Sequence, residues 1–257
     1  MRIARYSHEG VVGFGVVEGE PGPDAAVAAL AGHPFGVLTF SGRRHALADV
    51  RLLAPVLPSK VIGIGKNYAD HAAEMGSPAP AEPVAFLKPS TSVIGPGDSI
   101  VLPRDSVRVD HEAELAIVIG RLCRDVPRER AHEVVLGYTC GNDVTARDHQ
   151  KADGQWTRGK GHDTFCPLGP WLETDLDPHD LAVRCTVDGD ERQHGRTSAL
   201  LHDVPALIAW VSAVMTLLPG DVILTGTPAG VGPLEPGESV SVSIEGIGVL
   251  TNPVVAR

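Results

Sequence analysis

The sequence is poor in the features that mark specialised classes of protein. Its 257 residues include only four cysteines, widely separated and without a CxxC pair, so a disulfide framework and a structural zinc site are both disfavoured. No apolar run approaches the roughly 18 residues of a membrane-spanning helix, and the N-terminus lacks an export-signal pattern. We therefore expect a cytoplasmic protein whose cysteines are free and mostly buried.

Positive charge is also scarce. The chain has 22 Lys and Arg residues against 32 Asp and Glu, which gives a formal net charge of -10. This balance argues against nucleic acid as the main partner. It does not exclude a small anionic substrate, because a local cluster of Lys and Arg can override the field of the whole chain.

Glycine and proline, by contrast, are abundant, with 29 and 21 copies that separate short apolar runs along the chain. The pattern predicts many strands joined by tight turns, and hence a β-rich α+β fold. We expect a small N-terminal β unit over residues 1–57 and a larger domain over residues 58–257. Strands are predicted at RIARY, VVGFGVV, VIGIG, VAFLKP, SIVLP, ELAIVIG, YTCGNDVTA, CPLGPWL, LAVRCTV, DVILTG and SVSVSI.

Two helices are predicted among these strands. One covers roughly residues 128–135, and the other covers residues 203–218, with Asp203 as N-cap and Pro219 as the stop. The second has a core face at helical spacing, formed by Val204, Leu207, Ile208, Val211, Met215 and Leu218.

Three acidic residues form the first candidate site. Glu112 and Glu114 alternate at the start of the apolar run LAIVIG, so on a strand they point to one face, about 6.6 to 7 Å apart along the chain. Taken alone, the pair is more typical of a solvated strand end. A third carboxylate, Asp143, follows the strand-like YTCGN. Three carboxylates without His or Cys ligands suit a hard cation such as Mg²⁺ or Mn²⁺.

The segment NYADHAAEMG supplies a candidate base. On a helical turn His71 and Glu74 stand at i and i+3 and can meet, and a carboxylate-oriented His can activate water. The alternative is a pair of solvated residues on a surface helix. The following GSPAPA would provide flexible flanks for a lid.

Lys160 lies between Gly159 and Gly161, which are expected to permit unusual backbone angles and close approach of a ligand. The segment from Gly154 nearly spells a phosphate-binding loop, but Gly161 stands where Ser or Thr is required and no helix pattern follows. Likewise the glycines of VIGIG lack the third glycine of a dinucleotide fingerprint. We reject both nucleotide sites.

The segment LLPGDVILTGTPAGVG runs from a predicted strand into a loop rich in glycine and threonine. Such a loop can offer backbone N–H groups and hydroxyls to a carboxylate. It can equally be a plain turn before the next strand, and spacing alone does not decide between the two.

Taken together, these segments resemble the fumarylacetoacetate hydrolase superfamily. The resemblance covers about residues 58–255 and rests on six motifs in the family's order: NYADHAAEMG, FLKPSTSVIGPGDSI, DHEAELAIVIG, GNDVTARDHQ, TRGKGHDTFCPLGPWL and LLPGDVILTGTPAGVG. It implies a mixed β-roll or β-sandwich catalytic domain that is usually homodimeric and binds Mg²⁺ or Mn²⁺. The N-terminal unit matches loosely, and we assign it no chemistry.

The resemblance also implies roles for individual residues. The metal ligands would be Glu112, Glu114 and Asp143. The catalytic groups would be His71 and Glu74, as a dyad on a mobile lid, and Lys160, which stabilises negative charge. Substrate contacts are expected from Lys88, Arg147, Gln150 and Thr227.

The expected function is cleavage of a C–C bond in a small 2-oxo or enol dicarboxylic acid, through acylpyruvate-type hydrolysis or β-keto acid decarboxylation. One alternative is a 2-hydroxyhepta-2,4-diene-1,7-dioate isomerase or 5-oxopent-3-ene-1,2,5-tricarboxylate decarboxylase of aromatic catabolism. Another is a catalytically inert metal-binding scaffold. The complete set of six metal-binding and catalytic residues speaks against the scaffold.

Overall fold

The computed structural model describes residues 1–76 and 78–257. It is 43% strand and 17% helix, which confirms the predicted β-rich α+β class. None of the helices in these residues is long and apolar enough to cross a membrane. The four cysteines are free, and Cys140, Cys166 and Cys185 are buried.

The strands lie as follows: β1 (Arg2–His8), β2 (Val11–Glu18), β3 (Ala26–Leu30), β4 (Phe40–Ala46), β5 (Arg51–Leu53), β6 (Val61–Gly65), β7 (Val84–Lys88), β8 (Val93–Ile94), β9 (Ile100–Leu102), β10 (Val109–His111), β11 (Ala113–Ile119), β12 (Val135–Asn142), β13 (Thr145–Ala146), β14 (Cys166–Glu173), β15 (Ala182–Val187), β16 (Asp190–Arg196), β17 (Val222–Leu224), β18 (Gly232–Pro233), β19 (Ser239–Ile244) and β20 (Gly248–Ala256). The α-helices are α1 (Ala69–Glu74), α2 (Arg147–Asp153), α3 (Thr157–Lys160) and α4 (Val204–Val214), and 3₁₀ turns cover Leu47–Asp49, Ser90–Ser92, Arg128–Val134 and Thr197–Ala199.

A large twelve-stranded sheet has the order β4-β3-β2-β1-β14-β12-β11-β17-β6-β7, with β5 beside β1 and β8 beside β14. Strand β11 lies inside it, between β12 and β17. All seven residues of β11 are buried, as expected for a strand that is apolar on both faces.

A five-stranded sheet, ordered β16-β15-β19-β20-β9, packs against β11, β12 and β14 of the large sheet. Strand β19 shows the alternation of such a layer, because Val240, Val242 and Ile244 are buried and the serines between them are less so. Its buried residues join Leu115 and Ile117 in one core. The two sheets therefore form a sandwich with β11 in its interior.

The N-terminal strands continue the large sheet. Strand β1 pairs antiparallel with β14, where Arg2 lies opposite Glu173 and Ile3 opposite Leu172. Strands β3 and β4 lie between the segments VVGFGVV and VIGIG, where the sequence predicts no strand. The sequence AVAAL of β3 contains three alanines, a residue depleted in strands, which explains why it was missed.

Helix α4 begins as predicted, because Asp203 accepts a hydrogen bond from the Ala206 amide at 3.0 Å. It ends at Val214, earlier than the predicted residue 218. The cause is a β-bridge in which Leu217 exchanges backbone hydrogen bonds of 2.9 and 3.0 Å with Cys123. Leu218 is consequently exposed instead of belonging to the helix's core face. The other predicted helix is a 3₁₀ helix over Arg128–Val134.

Candidate active site

Three buried carboxylates meet where strands β10, β11 and β12 approach each other. Glu112 lies between β10 and β11, Glu114 lies on β11, and Asp143 directly follows β12. The antiparallel pairing of β11 with β12 brings them together, and the Asp143 amide donates to the Glu112 carbonyl at 2.9 Å. One carboxylate oxygen from each residue lies within 4.8 Å of the others. The predicted grouping of the three acids is thus present.

The charges around the three carboxylates differ. Burial opposes ionisation of Glu112, but the neighbouring Lys160 and Arg147 outweigh it and lower its pKa. Burial raises the pKa of Glu114 well above its usual value, and the charges of Asp143 and Glu112 raise it further. The negative charge of Glu114 is therefore less well balanced by nearby positive charge than that of Glu112.

Lysine and arginine provide the compensation at the other two acids. Lys160 Nζ donates to Glu112 Oε2 at 2.8 Å and to Asp143 Oδ2 at 2.6 Å, while Arg147 Nη2 lies 2.7 Å from Glu112 Oε1. Lys88 forms an ion pair with Asp143 and donates to the Val144 carbonyl at 3.3 Å. Glu114 instead accepts a hydrogen bond of 2.6 Å from the Gly226 amide.

The donor set fits a hard divalent cation. All three side chains offer oxygen, the ligand atom that Mg²⁺ and Mn²⁺ prefer. Like charges this close also raise one another's pKa unless a cation lies between them. Lys88, Arg147 and Lys160 pair with Glu112 and Asp143, whereas Glu114 forms no ion pair with the described residues, which leaves a role for a bound ion.

The two glycines that flank Lys160 serve packing and not unusual backbone angles. Neither has a positive φ, so that part of the sequence interpretation is wrong. A methyl group on Gly159 would lie 2.8 Å from Gln150 Cα, and one on Gly161 would lie 2.5 Å from the Thr157 carbonyl oxygen. Both glycines let the short helix α3 pack closely.

Two aromatic rings explain the glycines of β6. A methyl group on Gly63 would lie 2.2 Å from the Phe86 ring, and one on Gly65 would lie 2.4 Å from the Trp156 ring. The two rings meet edge to face with centroids 5.4 Å apart, and Lys160 Nζ lies 5.0 Å from the Phe86 centroid. The glycines make room for this aromatic wall.

The predicted His–Glu dyad is formed on α1. His71 Nδ1 lies 3.1 Å from Glu74 Oε2, and His71 is buried. Glu74 also accepts hydrogen bonds of 3.1 and 3.3 Å from the Gly230 amide. Just before the helix, Asn67 donates to the carbonyls of His202 and Thr225 at 2.9 and 2.8 Å. The dyad is thus connected to the loop that follows β17.

A cavity of about 610 Å³ connects these groups. Eight of the predicted site residues line it: His71, Glu74, Glu112, Glu114, Arg147, Gln150, Lys160 and Thr227. Lys88 and Asp143 are not in the lining. Lys88 contacts Asp143 from outside the cavity, so the structure gives it the position of a residue that holds this carboxylate.

The cavity also contains residues that the sequence interpretation did not single out. Arg108 and Asp110 line it together with Glu112 and Glu114. The four residues stand at every second position of the chain. Extending the strand period of two from Glu112 toward the N-terminus would therefore have identified Asp110 and Arg108. Arg108 donates to both oxygens of Asp110 at 2.9 and 3.2 Å, and Arg147 Nε donates to the same carboxylate at 2.8 Å.

Gln193 is a further residue with no signal in the sequence. It lies on β16 of the other sheet and is buried. Its side-chain oxygen accepts hydrogen bonds from His111 Nδ1 at 3.0 Å and the Ala113 amide at 2.9 Å, and its nitrogen donates to the Pro228 carbonyl at 2.8 Å. It thereby holds the two residues that flank Glu112.

Comparison with known proteins covers the whole chain. Residues 60–255 match the fumarylacetoacetate (FAA) hydrolase C-terminal family, and residues 1–55 match the Rv2993c-like N-terminal family. The structure of 5-carboxymethyl-2-hydroxymuconate delta-isomerase from Mycobacterium smegmatis is 61% identical, with a TM-score of 0.95 and 100% of both chains covered. That of 2-hydroxyhepta-2,4-diene-1,7-dioate isomerase from Mycobacterium marinum is 57% identical, with a TM-score of 0.94, and the match covers 100% of this chain and 99% of that one.

A curated relative has a third activity. The mitochondrial oxaloacetate tautomerase fahd2 of Xenopus laevis is 48% identical over 221 residues, which cover 81% of this chain and 69% of the relative. The family match extends over most of the chain and includes every predicted site residue. The chain belongs to the fumarylacetoacetate hydrolase family and is related to isomerases and a tautomerase within it.

Proposed function

We propose that the protein is a Mg²⁺- or Mn²⁺-dependent enzyme that cleaves a C–C bond in small 2-oxo dicarboxylic acids of the acylpyruvate type. The observation that carries this proposal is the buried His71–Glu74 pair, joined at 3.1 Å, in the same cavity as Glu112, Glu114 and Lys160. A general base, a candidate cation site and a buried ammonium group thus surround one space of substrate size.

Glu112, Glu114 and Asp143 would hold the ion, which as a Lewis acid would stabilise the negative charge that develops on a 2-oxo acid. Lys160 contributes further positive charge from a buried position, where electrostatic stabilisation is stronger than in water. Gln150 accepts a hydrogen bond from Arg147 Nη1 at 3.1 Å, which leaves its amide NH₂ group as the donor that it can offer a substrate.

The dyad would activate the attacking water. Because a carboxylate only accepts hydrogen bonds, His71 Nδ1 donates to Glu74, and Nε2 is left to take a proton from water. The resulting hydroxide adds to the distal carbonyl carbon of the acylpyruvate. The C–C bond then breaks, the acyl fragment leaves as a carboxylic acid, and the electron pair remains on the pyruvate fragment as an enolate. The proton taken from water is then delivered to C3 of this enolate, which gives pyruvate.

A second candidate is keto–enol isomerisation, and three of the relatives support it. The two isomerase structures are 61% and 57% identical to this chain, and the tautomerase is 48% identical. The same dyad could move a proton between carbon and oxygen without an attacking water. Decarboxylation of a β-keto acid would use the same cations and would need no base to activate water.

Replacing His71 separates the reactions. His71→Ala should reduce acylpyruvate hydrolysis about 100-fold or more, the usual contribution of general acid–base catalysis, and should leave β-keto acid decarboxylation less affected. The assay uses acylpyruvates, oxaloacetate and a 2-hydroxydienoate, with and without EDTA. His33→Ala, on the exposed N-terminal surface, is the control.

Each result of this assay has a definite meaning. Wild-type protein that isomerises the dienoate but leaves acylpyruvates and oxaloacetate unchanged would overturn C–C cleavage and support isomerisation. No turnover of any compound in the presence of Mg²⁺ or Mn²⁺ would favour the inert scaffold.

A further inference from the structure

The lysines of this chain are few and unevenly paired. Of the five in the sequence, Lys60, Lys88 and Lys160 form ion pairs with Asp221, Asp143 and the Glu112–Asp143 pair. Among the described residues, Lys66 and Lys151 have no carboxylate within ion-pair distance. Both line the cavity. In a chain with a net charge of -10, two free ammonium groups on one cavity indicate an anionic ligand.

The backbone at Lys66 supports a role for its side chain. Lys66 has a φ of 58°, in the left-handed region that residues other than glycine, asparagine and aspartate rarely adopt. Strained conformations of this kind cluster at active sites and ligand-binding segments, and among the described residues other than glycine with a positive φ, Lys66 is the one that lines the cavity. It follows directly after Gly65, the residue that makes room for Trp156, where the chain leaves β6 for the dyad.

Arg108 adds a third cation. Its side chain is 53% exposed, although its guanidinium is paired with Asp110. That carboxylate also pairs with Arg147, which pairs in turn with Glu112, so the two guanidinium groups and the two carboxylates form one network of ion pairs with Arg108 at its exposed end. Arg108 and Lys151 are exposed, whereas Glu112, Glu114 and Lys160 are buried. The cavity therefore has a buried end with the carboxylates and an outer part with additional cations.

We propose that Lys66, Arg108 and Lys151 form a second anion subsite, which binds the distal carboxylate of a dicarboxylic substrate. The 2-oxo acid end would lie at Glu112 and Glu114, and the other carboxylate would lie toward the solvent. This assignment depends on the proposed function in one respect, namely that the substrate binds in this cavity. The same cavity is lined by Ile64, Met75, Trp156 and Val231, which would accommodate a hydrocarbon spacer.

The size of the cavity agrees with a ligand of this length. A volume of about 610 Å³ lies in the middle of the range for small-molecule sites and exceeds what pyruvate or oxaloacetate fills. The subsite therefore predicts a preference for a diacid over the monoacid with the same reacting end.

Two ligands that differ only at the distal end test the subsite directly. These are 2-oxoadipate, which ends in a carboxylate, and 2-oxohexanoate, which ends in a methyl group. Their binding to the Mg²⁺-loaded protein is measured by calorimetry. We expect 2-oxoadipate to bind more tightly, and Lys66→Met and Lys151→Met each to lower this preference about 10-fold, on the scale of a hydrogen bond to a charged group.

Two control variants complete the experiment. Lys66→Arg keeps the charge and should keep most of the preference. Arg158→Met removes a cation from α3 that is paired with Asp153 and is outside the cavity lining, and it should leave the preference unchanged.

Equal affinity of the unaltered protein for both ligands, or an unchanged preference in both lysine-to-methionine variants, would overturn the subsite. Because binding is measured without turnover, protein that prefers 2-oxoadipate yet fails to cleave acylpyruvates would keep the subsite and refute only the proposed reaction.

Discussion

Gln193 Nε2 donates a hydrogen bond to the hydroxyl of Thr227 at 2.7 Å, and Thr227 in turn donates to the Ala113 carbonyl at 2.8 Å. The Gln193 oxygen accepts a hydrogen bond from the Ala113 amide. One amide side chain therefore connects the start of β11 with the loop that follows β17. The three residues form a closed ring of hydrogen bonds around the start of β11. Thr227 thereby helps to hold the strand that carries Glu114, in addition to lining the cavity.

Gln193→Leu should therefore destabilise the protein and weaken ion binding together. The substitution leaves several buried polar groups without partners, at a cost of about 1 to 3 kcal/mol each. We expect the free energy of unfolding to fall by at least about 2 kcal/mol and Mn²⁺ affinity to fall about 10-fold or more, measured by denaturant unfolding and calorimetry. Gln155→Leu, at an exposed position, is the matched control. Mn²⁺ affinity equal to that of the wild type would contradict a positioning role.

Glu114→Gln should abolish ion binding but stabilise the ion-free fold. The amide cannot replace an anionic ligand, so Mn²⁺ affinity should fall more than about 100-fold. In the ion-free protein the pKa of Glu114 is raised in the folded state. Between the usual pKa of a glutamate and this raised pKa, the folded protein therefore keeps a proton on Glu114 that the unfolded chain has released. Stability from this group is thus present at low pH and decreases as pH rises toward the folded-state pKa.

The neutral amide mimics the protonated acid and should remove this part of the pH dependence. With EDTA present, thermal unfolding at pH 8 should therefore occur at a higher temperature in Glu114→Gln than in the wild type. The affinity of the wild-type protein for Mn²⁺ should fall as the pH falls, because the Glu114 carboxyl must lose its proton before it can bind the ion. A variant that still binds Mn²⁺ normally would exclude Glu114 as a ligand.

The lid prediction concerns residues 67–80, of which Ser77 lies outside the described residues. Helix α1 is connected to the opposite loop by the hydrogen bonds from Gly230 to Glu74. We expect hydrogen exchange across α1 and at Gly230 to slow when oxalate binds to the Mg²⁺-loaded protein, because the ligand would hold the segment closed. Glu74→Gln should reduce this protection. Exchange that is already slow and does not respond to oxalate would count against a lid.

The proposed homodimer rests on the resemblance to the family. An obligate interface of this type should bury more than about 2,000 Å² in total. The exposed apolar residues Val84 and Leu87 on β7, at the edge of the large sheet, are consistent with association, since open strand edges favour pairing. Light scattering should give twice the 27.0 kDa chain mass. A stable monomer at micromolar concentration would refute the dimer.

Local patterns predicted that two pairs of candidate site residues can meet, while Lys88, Arg147, Gln150 and Thr227 were expected only from the family resemblance. Glu112 and Glu114 stand two positions apart in the sequence, and His71 and Glu74 stand three positions apart, so the strand and helix periods alone bring each pair together. Asp143 is different, because its approach to Glu112 depends on the register of β11 against β12. The sequence suggested that grouping only through the chemistry of three carboxylates and the family resemblance.

Gln193 marks the limit of such reasoning. Its partners come from β10, β11 and the loop after β17, and no spacing in the sequence relates these segments to β16. The helix ends show the same limit, since α4 stops where Leu217 pairs with Cys123, a contact between distant parts of the chain. Tertiary pairing decided both features.

The aromatic wall has a consequence for how the cavity could be enlarged or reduced. Trp156 occupies the space over Gly65 that any larger residue would need. A single methyl group added on β6 must therefore move the indole ring, even though position 65 contributes only backbone to the cavity. Substrates of different length could be accommodated by changing this strand behind the ring, while the acids, the lysine and the histidine stay in place.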